Sequence, residues 1–177
     1  MDTIPGIDLA TLTAQDALDL AILIEEEAKE RYETFARQVG GRYAGDAADM
    51  FKGMAFNESR HGAELLERRR RLFGEAPVRV TRDMIYEVEA PDLNAPRVFM
   101  SARQAMEVAL ASEQKARAFF VEALTVITEP DVRSLFRELR DEEEVHEQFV
   151  RARLARLPPG PDLEDEDADP PGSDAGN

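Results

Sequence analysis

The chain contains two histidines, and each stands three residues after a glutamate: Glu58-Ser59-Arg60-His61 and Glu143-Glu144-Val145-His146. Positions i and i+3 share a helix face, so each pair can offer one carboxylate and one imidazole to the same metal ion. With 37 acidic residues among 177, a histidine has an acid three places back about one time in five by composition alone, so the spacing needs support from helical phase. Phase supports it. Phe51, Met54, Glu58, His61 and Leu65 fall on one stripe, and Val132, Phe136, Leu139, Glu143, His146 and Val150 fall on another. Both pairs therefore point into apolar surroundings, where a carboxylate without a partner is costly and a metal ion is the usual compensation.

Four helices are expected to position these groups. Thr13-Ala-Gln-Asp16 reads as a capping box that opens the first, whose stripe is Leu18, Ala21, Glu25, Ala28, Tyr32, Phe35 and Val39 and whose stop is Gly40-Gly41. The second runs from about Asp46 to Phe73 and is stopped by Gly74. Residues 74–100 carry Pro77, Pro91 and Pro96 and no sustained period, apart from a short helical turn near Asp83–Tyr86. Ser101-Ala-Arg-Gln104 is a further capping box, opening a third helix with Ala109, Glu113, Ala116, Phe120 and Ala123 on one stripe. Thr128-Glu-Pro-Asp131 closes that helix and opens the fourth, which reaches about Leu157 before Pro158-Pro159 prevents its continuing.

Glu25 stands about 14 residues before its helix end and Glu58 about 12 residues into the next helix. At about 1.5 Å per residue, an antiparallel hairpin sets the two at nearly the same height. Glu113 and Glu143 follow the same arithmetic. The expected architecture is thus all-α: two helical hairpins, each offering Glu from one helix and Glu-x-x-His from the other. The 74–100 link is long enough to run the length of a bundle and leave the second and third helices parallel.

Composition narrows the function. At 177 residues and 43% hydrophobic content the chain can bury one substantial core. The expected division is a bundle over 1–157 and a disordered tail over 158–177, where seven acids stand without a basic residue. A net charge of −15 argues against nucleic-acid and anionic-membrane partners, because phosphate contacts need clustered Lys and Arg. The absence of cysteine excludes disulfides, zinc ribbons, iron–sulfur clusters and a cysteine-ligated rubredoxin centre. No stretch approaches a membrane span and the N-terminus lacks a signal-peptide pattern, so a cytoplasmic location is expected.

One Glu on each of two helices with Glu-x-x-His on each of the other two is the donor set of ferritin-like di-iron carboxylate proteins. The sequence resembles that superfamily over about residues 13–156. The stretches ILIEEEAKERYETFA, FKGMAFNESRHGAELL and ELRDEEEVHEQFV are most similar to the rubrerythrin group. The likeness is nearest to the erythrin domain fused to membrane iron transporters, through RRRRLFGEAPV as well, although no membrane domain follows in this sequence. Rubrerythrin peroxidases carry a further glutamate three residues after the third-helix ligand, where this chain has Ala116.

Six residues are therefore expected to ligate two iron ions and carry the chemistry: Glu25, Glu58, His61, Glu113, Glu143 and His146. Glu58 and Glu143 are expected to bridge the ions, and Glu25 and Glu113 to be terminal. Four carboxylates against two Fe(II) ions leave a neutral cluster, and manganese or zinc suits the same donors. Glu26, Glu27 and Glu144 fall about 100° or more off the stripes, whereas Glu147, one turn after Glu143, is a candidate outer carboxylate. Each ligating imidazole needs an acceptor for its other N–H, and the expected pairs are Glu142 with His61 and Asn57 with His146. Tyr32, on the face of Glu25, is read as core packing before redox relay. Arg68–Arg71 are read as answering the helix dipole.

The resemblance implies oxidation of Fe(II) by dioxygen or hydrogen peroxide. Its alternatives are a peroxidase fed by a separate redox partner and a non-catalytic iron-binding or sensing module whose tail engages a partner. It also implies a homodimer, with exchange of hairpins through the 74–100 link as one route.

Overall fold

The computed structural model of the chain describes residues 8–39, 46–85, 88, 90–92, 94–95 and 100–158. Four long helices dominate them: α1 (Ala14–Gln38), α2 (Ala47–Phe73), α3 (Ala102–Val126) and α4 (Pro130–Leu154). Short 3-10 turns lie at Leu9–Thr11 and Arg82–Met84, and no strand occurs among the described residues. The expected stop at Gly40-Gly41, Tyr86 of the expected link turn, and the stretch from Pro159 to Asn177 lie outside the described residues.

Local chemistry sets the helix starts. Thr13 Oγ1 accepts from the Asp16 N–H at 3.2 Å while Asp16 accepts from the Thr13 N–H, and Ser101 and Gln104 make the same reciprocal pair at 3.1 and 2.8 Å. Asp46 caps α2 through the Asp49 N–H, and Glu129 caps α4 through the Val132 N–H at 2.7 Å with Pro130 in the first turn. Gly74 ends α2 at φ 57°, a conformation that side chains with a Cβ disfavour. The fourth helix ends at Leu154, three residues before the expected Leu157. The Arg103 guanidinium, at the start of α3, collects the freed carbonyls of Leu154, Leu157 and Pro158 at 2.6–3.1 Å and holds the chain in turns there.

Cross-helix pairs give the directions. Asp19 meets Arg69 and Glu25 meets His61, so α1 and α2 are antiparallel; Glu113 meets His146 while Arg133 reaches Leu124 O, so α3 and α4 are antiparallel too. Arg68–Glu138 and the His61–His146 stack run α2 against α4, which leaves α2 and α3 parallel, as the long link allows. Each hairpin packs along its length, α2 also lies against α3, and α2 and α4 meet chiefly through side chains. The link is laid along α1: Arg79 pairs with Asp16, Arg82 with Glu26 and Glu30, and Arg31 donates to Pro91 O at 2.7 Å.

Two apolar clusters fill the bundle. One gathers Leu18, Ile24, Leu65, Ile85, Phe120, Phe136 and Leu139; the other gathers Tyr32, Phe35, Phe51, Met54, Met106, Ala109 and Val150. Phe35, Phe51 and Phe136 are fully buried, each contributing about 1.5–3 kcal/mol by transfer from water. Glu25, Glu58, Glu113 and Glu143 lie along the chain between the members of the two clusters on their own helices, and all four are buried. A layer of carboxylates thus divides the core.

Candidate metal centre

Every one of the six expected donors reaches that layer. Glu25, Glu58 and His61 form one group and Glu113, Glu143 and His146 another, and within each the ligand-type atoms lie within 4.8 Å of one another. His61 Nδ1 stands 3.9 Å from Glu25 Oε2 and 3.6 Å from Glu58 Oε2; His146 Nδ1 stands 3.3 Å from Glu113 Oε2 and 3.4 Å from Glu143 Oε2. The two imidazoles stack with centroids 4.4 Å apart and planes 7° from parallel, which joins the groups into one cluster. Glu143 acts electrostatically on Glu25, and Glu113 acts on Glu58.

The electrostatics are those of a site built for cations. Burial pushes the Glu25 carboxyl well above its ordinary value, and repulsion from Glu58 and Glu143 adds to it. Burial also raises Glu58, against the pull of His61. Glu143 is raised to about 8 by burial, with Glu113 adding and His146 opposing. For His146 burial alone would lower the value, but Glu113 and Glu143 beside the ring overcome it and raise it to about 11. Oε2 of Glu25, Glu58 and Glu143, both carboxylate oxygens of Glu113 and Nδ1 of His61 are buried without a hydrogen-bond partner. Buried polar atoms are rarely left so, and here they converge on one place. Carboxylate oxygens and imidazole nitrogens are donors that a divalent transition metal accepts, and four carboxylates balance two such ions, so the residues present fit a two-metal centre.

The neighbouring acids are accounted for differently. Glu26 is exposed and pairs with Arg82, while Glu27 pairs with Arg31 at 3.4 Å. Glu144 and Glu147 both approach Arg117 at 3.7 Å, and Glu147 is also 3.5 Å from Arg151. Tyr32 is wholly buried and stacks on Phe51 at 6.1 Å. Glu142 and Asn57 each line a cavity beside both imidazoles. The group placed against the outer nitrogen of His61 is Arg60, whose Nη2 lies 3.3 Å from Nε2.

Two arginines that the sequence did not single out border the centre, and a third, read within Arg68–Arg71 as answering the helix dipole, braces it. Arg60 touches His61, and Arg117 stands one turn after Glu113 beside Glu144 and Glu147. Arg69 is buried, pairs with Asp19 at 2.8 Å, and donates to the carbonyls of Gly74 and Ala76. The helix dipole suffices for exposed Arg70 and Arg71, but Arg69 is the tie between α1, α2 and the start of the link. Its only signal was position: it lies four residues after Leu65 on the buried stripe.

Comparison with known proteins places this arrangement. The rubrerythrin profile matches residues 16–154. No curated protein matches the chain. Among solved structures, an uncharacterized conserved protein from Magnetospirillum magnetotacticum MS-1 is similar at 25% identity and TM-score 0.65, covering 84% of this chain and 98% of that one. A hypothetical protein from Pyrococcus furiosus shares the fold at 21% identity and TM-score 0.51, covering 85% of this chain and 95% of that one. With a rubrerythrin match over most of its length, four helices and two Glu/His groups, the chain belongs to the rubrerythrin family, within the ferritin-like fold.

Proposed function

We propose that the protein is a di-iron oxidoreductase that oxidises Fe(II) with dioxygen or hydrogen peroxide. Glu25, Glu58 and His61 would hold one ion, and Glu113, Glu143 and His146 the other. The observation that carries this reading is the convergence of unpartnered buried carboxylate oxygens with two imidazoles at one level of the bundle. Two iron ions, when bound, supply paired one-electron changes that match a two-electron oxidant. The chain's own part is to hold the donors and keep water out. Leu65 and Leu139 of one apolar cluster and Met54 and Val150 of the other flank the buried carboxylates along the helices, so charge there acts through a poorly screening medium. The Nδ1 atom of each imidazole faces the carboxylates of its own group.

Iron is preferred to manganese or zinc on the family's account, since the donors suit all three. Oxidation of Fe(II) is preferred to peroxidase turnover with an external donor because Ala116, fully buried, replaces the further glutamate of the peroxidases. In the same reading the protein is a cytoplasmic homodimer; no helix of the described residues is long and apolar enough to cross a membrane. Anaerobic Fe(II) titration followed by addition of dioxygen or peroxide is the test. Two ions per chain and rapid formation of Fe(III) are expected; iron bound without reaction to either oxidant would leave a binding or sensing module.

A further inference from the structure

The α2–α4 face changes character at the level of the histidines. On α4, one position before the ligand stripe, stand Glu138, Glu142, Val145 and Phe149: acidic on one side of His146's level and apolar on the other. Antiparallel α2 changes at the same level, with Glu64 beside the acidic half and Met54 beside the apolar half. Val145 and Phe149 are 62% and 52% exposed, although both are large hydrophobic side chains that a bundle would bury if packing were their purpose.

Two cavities occupy these halves. One, of about 620 Å³, is lined by Glu64, Glu138, Asp141 and Glu142; the other, of about 260 Å³, is lined by Met54, Val145, Phe149 and Val150 and reaches Glu58 and Glu113. Their shared wall is Arg60, His61, Val145 and His146. Within the acidic cavity Glu138 is held by Arg68 at 2.7 Å and Asp141 by Arg140 at 2.6 Å, while Glu64 is 3.9 Å from Arg60. Glu142 is in no ion pair among the described contacts, and it lines the cavity beside both imidazoles. Of the four acids lining that cavity, it is the one without an arginine partner among the described contacts. The apolar cavity offers a cation no carboxylate until the buried Glu58 and Glu113, whose Oε2 atoms face the imidazoles without a hydrogen-bond partner.

We infer that the centre has two entrances: cations pass the acidic cavity with Glu142 as the relay carboxylate, and the small uncharged oxidant passes the apolar cavity between Val145 and Phe149. This division deepens the iron-oxidation reading and rests on it for the identity of the oxidant. A charged cleft raises the local concentration of counter-ions and speeds their arrival, whereas an apolar cavity with low-dielectric walls favours a neutral guest.

Two probes test the entrances without turnover: xenon for the apolar cavity and Co(II) for the cation route. In the full chain, Phe149→Trp, at a residue that lines the apolar cavity and not the acidic one, should abolish the xenon-induced NMR shifts of Met54 and Val150 and leave the rate of Co(II) uptake within about twofold of wild type. Glu142→Gln should slow Co(II) uptake by about 10-fold at low ionic strength, keep the final two ions per chain, and leave the xenon shifts in place. Retained xenon shifts in Phe149→Trp, slowed cobalt uptake in that variant, or unaltered uptake in Glu142→Gln would overturn the division. Absent xenon shifts in the wild type, with a dimeric mass by light scattering, would overturn it as well and assign the exposed α4 residues to a subunit contact. If cobalt and xenon separate as expected but iron-loaded protein reacts with neither dioxygen nor peroxide, the entrances stand and the oxidation reading falls.

Discussion

The two hairpins carry the same donors in different settings. In the α3–α4 half, His146 lies within 3.4 Å of both its carboxylates; in the α1–α2 half, His61 stands back at 3.6 and 3.9 Å and has a guanidinium on its outer nitrogen. Braces are distributed the opposite way. The α1–α2 hairpin is tied by the buried Asp19–Arg69 pair and by the link that Arg79 and Arg82 fasten to α1, whereas α3 and α4 are joined by the short turn with Arg133 on the Leu124 and Ile127 carbonyls. A repeated ligand pattern therefore makes two positions of like chemistry and unlike readiness. The tighter, better-compensated triad should fill first.

The most severe way to break that comparison is to remove one carboxylate from each half. Changing an outer partner of a metal ligand typically costs 10–100-fold in affinity or activity, so deleting a ligand should cost roughly 100-fold or more. Glu58→Ala and Glu143→Ala should each abolish fast iron oxidation, because two coupled ions are needed, and elemental analysis should show fewer than two metals per chain. Glu27→Ala and Glu144→Ala, whose carboxylates are held by arginines off the ligand stripes, should keep near-normal rates. Full activity with two metals in Glu58→Ala would refute the assignment.

The brace is tested next. Asp19 and Arg69 are 4% and 5% exposed, and removing one partner of a buried pair leaves an uncompensated charge at a cost of about 3–5 kcal/mol. Arg69→Ala should accordingly lower the melting temperature far more than Arg82→Ala, whose pair with Glu30 is exposed. Equal shifts in thermal denaturation would show that the link, and not the buried tie, secures the hairpin.

How much of this was legible in the sequence follows from side-chain length. The four ligand glutamates and two histidines lie on apolar stripes of period 3.6, so helical phase alone brings them inward, and capping at Thr13, Asp46, Ser101 and Glu129 sets their heights. The arginines were not legible in the same way. Arg60, Arg69, Arg103 and Arg117 reach sideways or across to other elements, and their partners depend on neighbours that periodicity does not supply. For the same reason the fourth helix stops at Leu154: Arg103 comes from another helix. Glu142 and Asn57 each line a cavity with both imidazoles, and the group that meets the outer nitrogen of His61, expected to be Glu142, is set by the rotamer of Arg60.

Protons offer a further way to sharpen the comparison. In metal-free protein Glu143 and His146 hold protons more firmly than their ordinary values of 4.5 and 6.5 allow, up to about 8 and about 11. The folded state thus binds more protons than the unfolded one, and stability falls as pH rises. The contribution of Glu143 is lost between about 4.5 and 8, and that of His146 between about 6.5 and 11. The metal-free melting temperature should therefore decline from pH 5 to pH 9, above the range in which salt-bridged Glu30 loses its charge. With Fe(II) or Mn(II) bound the protons are displaced, so the decline should flatten, the melting temperature should rise and binding should release protons. A metal-free melting temperature that climbs toward pH 9 would contradict the protonated cluster.

The smallest expected effect concerns Arg60, and it bears most directly on the inequality of the halves. Its Nη2 lies 3.3 Å from His61 Nε2, so in this arrangement the outer nitrogen accepts and the proton resides on Nδ1, the atom that faces Glu25 and Glu58. A metal on Nδ1 requires the proton on Nε2, where it would meet a donor and a positive charge. Arg60 must then swing away, toward Glu64 at 3.9 Å, before His61 can bind. The side chain is 60% exposed, so the cost is modest, of the order of an exposed charge interaction, about 0.2–1 kcal/mol. Arg60→Gln should tighten the weaker of two binding steps by roughly two- to fivefold and leave the stronger unchanged. Stepwise titration with Co(II), read by its visible spectrum, would show the two steps drawing together. If Arg60→Gln instead shifts both steps equally, the guanidinium acts on the whole cluster and the two halves fill without an order set by His61.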